Sequence, residues 1–218
     1  MEELKYTKEK SRFLAKWLRI LFWLVIPGIL ANLLTNENIV NLAPVLYWPG
    51  QILSVLYSLA YGYVLLKLAS ENSHYRSSGI CWIVSAAVSL ISLVFSVMSP
   101  DTGEISPAAL AWVLLSLVFS VVLLVIGLVG EYQEYKGHSE LLRGVDDLLS
   151  EKWLHLWKGY IILFVVIIVS VFLVFISLVL GVLGVIVSIV GALIISVLKL
   201  VYLYSQAKRF ESMAETEL

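Results

Sequence analysis

The chain has 218 residues, of which 60% are hydrophobic and 14% charged, against the roughly 25% charged that is usual in soluble domains. A formal net charge of −1 excludes a nucleic-acid binder that works by neutralising phosphates, because that task needs a basic face. The single cysteine, Cys81, excludes an internal disulfide, and a mean hydropathy of +0.93 asks for lipid rather than water around most of the molecule.

A basic stretch, residues 1–16, leads into the first apolar run, Trp17 to Leu34. That run is longer than the h-region of a signal peptide and lacks an A-x-A cleavage pattern, so it reads as a retained first span. Pro27-Gly28 lies near its middle and should bend the helix by removing an amide donor. Val45 to Ala69, Gly79 to Met98 and Ala108 to Gly130 follow, each close to the roughly 20 residues that cross a bilayer once. In the second of these spans, Tyr57 and Tyr61 stand one turn apart, and their hydroxyls need partners that serines of a neighbouring helix are suited to supply.

The third span carries Ser85, Ser89, Ser92, Ser96 and Ser99 at alternating four- and three-residue steps, so they share one stripe. Small residues let helices approach closely in lipid, and their hydroxyls bond across or back for roughly 0.6 kcal/mol per contact. The stripe is expected to be a packing seam, with a polar lining to a substrate path as the functional alternative. Ser116, Ser120, Gly127 and Gly130 keep a compatible phase on the fourth span.

Glu131 to Lys158 is polar but periodic: Leu142, Val145, Leu149, Trp153 and Leu156 recur at three- and four-residue spacing. One amphipathic helix is expected here, lying along the inner membrane surface or packed under the bundle, with Glu140, Arg143, Asp147 and Glu151 on its other face. Glu131, Glu134 and His138 fall on one side of a helix continuing from span four. Three such ligands can hold a metal, but no second Glu-x-x-His completes a dinuclear set, and a solvated polar face without metal is the preferred reading.

The last run, Gly159 to Tyr204, holds one charge, Lys199. As one helix it would be roughly 69 Å long at about 1.5 Å per residue, twice the apolar thickness of a bilayer, so it must be two spans. The turn is expected at Gly181-Val182-Leu183-Gly184, where glycine takes reversal angles at no side-chain cost. The alternative is a helix passing through Gly181 and Gly184, with both glycines at a helix contact.

All fifteen lysines and arginines fall on one side of a six-span plan: before span one, between two and three, between four and five, and at the end. Positive residues mark the cytoplasmic side, so both termini are expected there, in the cytoplasmic membrane; a five-span plan would put Lys208 and Arg209 outside. Tyr47, Trp48 and Trp112 would mark the outer interface, and Trp82, Tyr132, Tyr135, Trp153, Trp157, Tyr202 and Tyr204 the inner one. The expected fold is thus an all-α polytopic bundle: a basic segment 1–16, spans one to four within 17–130, the surface helix 131–158, spans five and six within 159–204, and a tail 205–218.

No ionisable residue lies at mid-membrane, and Lys67, Glu131 and Lys199 are near enough to the inner ends to snorkel. No acid, base and nucleophile assemble into a catalytic set, so no enzyme activity, cofactor or metal is expected. The first functional expectation is an accessory or regulatory subunit acting through helix contacts, with the bilayer, other membrane proteins or further copies of itself as partners. The second is a transport component with a small-solute pocket in the outer half, lined by Asn32, Trp48, Tyr57 and Tyr61. The six-span plan and size are similar to those of the substrate-binding subunits of vitamin importers. That resemblance implies architecture alone, since Glu131 to Lys158 is longer than their inner loops and no binding motif carries over.

Overall fold

A computed structural model describes residues 6–98 and 107–216, without the side chains of 37, 38, 96–98, 107–109, 112 and 216. Ser96, Ser99, Pro100 and Trp112 therefore lie outside the described side chains. The described elements are all helical: α1 (Lys8–Leu34), α2 (Glu37–Leu42), α3 (Tyr47–Leu68), α4 (Ser73–Met98), α5 (Pro107–Leu142), α6 (Asp147–Ile176) and α7 (Leu178–Thr216), with a 3-10 turn at Pro44–Leu46. Six of them are long and apolar enough to cross a membrane, which makes this a multi-pass membrane protein. The chain forms two compact units, residues 23–134 in one and residues 1–22 with 135–218 in the other.

In the first unit α3 and α4 form an antiparallel hairpin. The Asn72 side chain accepts from the His74 amide at 2.8 Å and so caps the first turn of α4. The two helices touch where both lack a side chain: a Cβ on Gly62 would come within 2.9 Å of the Gly79 carbonyl, and one on Gly79 within 2.9 Å of the Gly62 carbonyl. Sequence reading had not paired these two glycines. α1 runs helical through Pro27, and Gly28 lies against the Tyr57 ring, where a Cβ would meet Cζ at 2.7 Å.

The second unit contains the α6–α7 hairpin, and here the expected turn is corrected. The reversal is made by Ser177 alone, in extended conformation (φ −152, ψ 113), and α7 begins at Leu178. Gly181 and Gly184 lie inside α7 and face α6: a Cβ on Gly181 would strike Val174, one on Gly184 would strike Ser170, and one on Gly191 would come within 2.5 Å of Leu163. The alternative reading, a helix passing through its glycines, is the one found. The physical reason is that the reversal takes a single extended residue, Ser177, whereas close antiparallel packing needs missing side chains over several turns.

The expected surface helix is also replaced. α5 continues through to Leu142, the chain turns over Arg143–Asp146, and α6 starts at Asp147. Gly144 takes φ 78, in the left-handed region, its amide donates to Asp147 Oδ1 at 2.7 Å, and Asp146 Oδ1 accepts from the Leu149 amide at 3.0 Å. The apolar periodicity was real but belongs to two helix ends folded together: Leu142, Leu149, Trp153 and Leu156 are buried, with Val145 half-buried. Part of their cover is protein of the same unit, since the Tyr135, His138 and Tyr202 rings pack against Trp153. Tyr135 and Trp153, expected as interface markers, are likewise core residues.

Candidate functional site

Three arrangements of polar groups stand out, and the residues singled out from sequence distribute unevenly among them. The first is a cleft of about 520 Å3 in the first unit, lined from three helices by Tyr47 and Gln51 of α3, Ser89, Ser92 and Phe95 of α4, and Ser116, Phe119 and Ser120 of α5, among others. Its shape follows from two contacts between α4 and α5. Near the turn end of α4 the helices are close, since a Cβ on Gly130 would lie 3.0 Å from that of Cys81. Farther along, the Phe95 and Phe119 rings meet with centroids 5.7 Å apart.

The serine stripe thus divides its work. Ser89 and Ser92 line the cleft opposite Ser116 and Ser120, rather than closing on another backbone. Ser116 and Ser120 return their hydroxyl hydrogens to the carbonyls of Val113 and Ser116, both at 2.9 Å, which leaves their side of the wall weakly polar. The Ser92 hydroxyl has no protein partner. The cleft is a mostly apolar slot with a few hydroxyls and an amide, the kind of wall that suits a small, largely apolar molecule.

The four residues first considered for a pocket line none of this cleft. Asn32 is exposed and Trp48 is 48% exposed. Tyr57 and Tyr61 instead pack with Trp82, at centroid distances of 5.8 and 4.7 Å. Tyr61, fully buried, donates its hydroxyl to Glu134 Oε1 at 2.6 Å. A carboxylate, not a serine, partners this phenol, and the expected solvated face of Glu134 is buried. Sequence offered no signal for it, because Glu134 stands among other polar residues at the end of a span.

The third arrangement lies in the second unit. His138, also fully buried, stacks on Trp153 with ring centroids 4.2 Å apart and planes 14° off parallel. Ser150 donates to the Ser139 carbonyl at 2.7 Å and lies 2.9 Å from its hydroxyl, tying α6 to α5 across the turn. Gln206, fully buried on α7, has no hydrogen-bond partner among the described residues for either amide atom. Among the described residues no three His, Cys, Asp or Glu side chains group as metal ligands would. His138 with Trp153, and Ser139 with Ser150, partner each other within a packed core, whereas the first of the three arrangements has room for a ligand. No family model matches the chain, and neither a curated protein nor a solved structure is similar to it.

Proposed function

We propose that this chain is a non-enzymatic protein of the cytoplasmic membrane, crossing it six times with both termini in the cytoplasm, and that it holds a small, largely apolar solute in the cleft between α4 and α5. The observation that carries the reading is the cleft itself: about 520 Å3 with walls from α3, α4 and α5, within the range of small-molecule sites. In this orientation the cleft lies in the outer half, because it is built from the start of α3 and the halves of α4 and α5 remote from the turn after Leu68. A component of a transport system, receiving solute from outside, is the role this placement favours. The test is native mass spectrometry after extraction in mild detergent, comparing wild type with S92F/S116F, which fills the cleft from both sides. A small molecule retained by the wild type and lost from the filled variant supports the reading; equal retention by both, or none by the wild type, contradicts it.

A second reading, an accessory subunit acting through helix contacts, is favoured by a separate observation. Along α5, Leu110, Val113, Leu117, Val121, Leu124 and Val125 are each about half exposed or more, and a Cβ on Gly127 would meet nothing within 4 Å. Such a length of helix has surface left for a helix of another membrane protein. Crosslinking through Gly127→Cys in native membranes, after Cys81→Ser, separates the two readings: a stoichiometric crosslinked partner supports the subunit, and a monomer only contradicts it.

A further inference from the structure

We infer that the α3–α4 hairpin carries a binding site for one anionic phospholipid, with its headgroup held by Lys67 and Arg76 and its chains lying on the apolar face above them. The inference is independent of the cleft and uses the opposite side of the same hairpin.

The geometry starts from the Gly62–Gly79 contact, which fixes the direction in which each helix faces the other. At about 100° per residue, Tyr63 and Lys67 lie roughly 100° and 140° round α3 from Gly62, and Arg76 roughly 60° round α4 from Gly79. Because the helices are antiparallel, these rotations turn toward the same side of the hairpin. Exposure agrees: Leu56, Leu59 and Tyr63 on α3 and Ile80 and Val84 on α4, which share that phase, are all at least 40% exposed, while Tyr61, Leu65, Tyr75 and Ser78 on the other side are buried.

The Lys67 ammonium does not extend past the end of its helix. It lies 5.2 Å from the centre of the Tyr63 ring, one turn back along α3, in the direction helical side chains lean. That places a cation over an aromatic face at the upper edge of the polar end, with exposed aliphatic side chains immediately above it. Arg76 is exposed one level away on the neighbouring helix. Among the described residues neither forms an ion pair with a carboxylate. Two uncompensated cations under an apolar face, one of them against a tyrosine ring, match the phosphate and glycerol levels of a lipid whose net charge is negative; a zwitterionic headgroup brings its own cation into the same place. The ligand class is therefore an anionic phospholipid in the leaflet on the side of the α3–α4 turn.

Native mass spectrometry of the full chain, titrated with equal amounts of phosphatidylglycerol and phosphatidylcholine of identical chains, tests this. The wild type should take up phosphatidylglycerol first. K67Q should weaken that first binding roughly fivefold, and K67Q/R76Q roughly twentyfold, as each basic group near a headgroup contributes about equally. K152Q/K158Q, which removes equal charge elsewhere, should change it less than twofold. Should K67Q/R76Q purify poorly, R76Q alone gives the same comparison. Retention of the wild-type preference by K67Q/R76Q, or its loss in K152Q/K158Q, overturns the site. Displacement of the lipid by millimolar inorganic phosphate would show that a free anion, not a lipid, is recognised, and would overturn the assignment as well.

Discussion

At the scale of single residues, the buried polar groups separate into satisfied and unsatisfied ones, and the two classes predict opposite outcomes. Tyr61 donates to a carboxylate buried at 0% exposure, and a hydrogen bond to such a group is worth about 1.5–3 kcal/mol. Tyr61→Phe should therefore lower thermal stability in detergent by several degrees. Gln206 is the opposite case: both amide atoms are buried without partners among the described residues, which costs about 1–3 kcal/mol. Gln206→Met keeps the volume, removes the orphaned atoms and should raise the melting temperature; a fall would mean that the amide is satisfied in the folded protein. Neither group was readable in advance. The sequence places Glu134 and Gln206 among other polar residues near helix ends, and nothing in spacing alone says that α5 and α7 turn those faces inward.

At the scale of elements, the apolar runs set the lengths of the spans, because lipid demands about 20 residues per crossing whatever the sequence detail. α1, α4 and α5 contain the first, third and fourth runs, and α3 all but the ends of the second. What spacing could not settle was where a helix ends when its neighbour is equally apolar. In the last run the glycines looked like a turn and are a seam, while Ser177, an unremarkable residue at a compatible phase with them, makes the reversal. The opposite error occurred before span five, where Gly144 followed by Asp146 is a helix stop and start signal that the clean apolar periodicity concealed. The seam makes a measurable difference between glycines. Gly184→Leu should disrupt the hairpin, since even a Cβ there strikes Ser170, at a cost of about 1–3 kcal/mol for overpacking. Gly127→Leu, with nothing within 4 Å, should leave the melting temperature of the isolated protein unchanged or slightly raised, because a better helix former replaces glycine.

At the scale of the whole molecule, the proposals share one premise: that α6 and α7 are two crossings joined at Ser177, so that both termini and all the turns rich in lysine and arginine stand on one side. The basic turns around α3 and α4 orient the cleft and the lipid site, and the α6–α7 hairpin brings the tail to the same side. Charge carries the orientation and the hairpin carries the count, and each is accessible to the same measurement. After Cys81→Ser no thiol remains, so a single cysteine can be placed at Ser177 or at Ser212 and probed in intact cells with a membrane-impermeant maleimide. The account predicts labelling at position 177 in sealed cells, and labelling at position 212 only after the cells are opened. Labelling of position 212 in sealed cells, or protection of 177 on both sides, would contradict the six-crossing arrangement on which the proposed function rests.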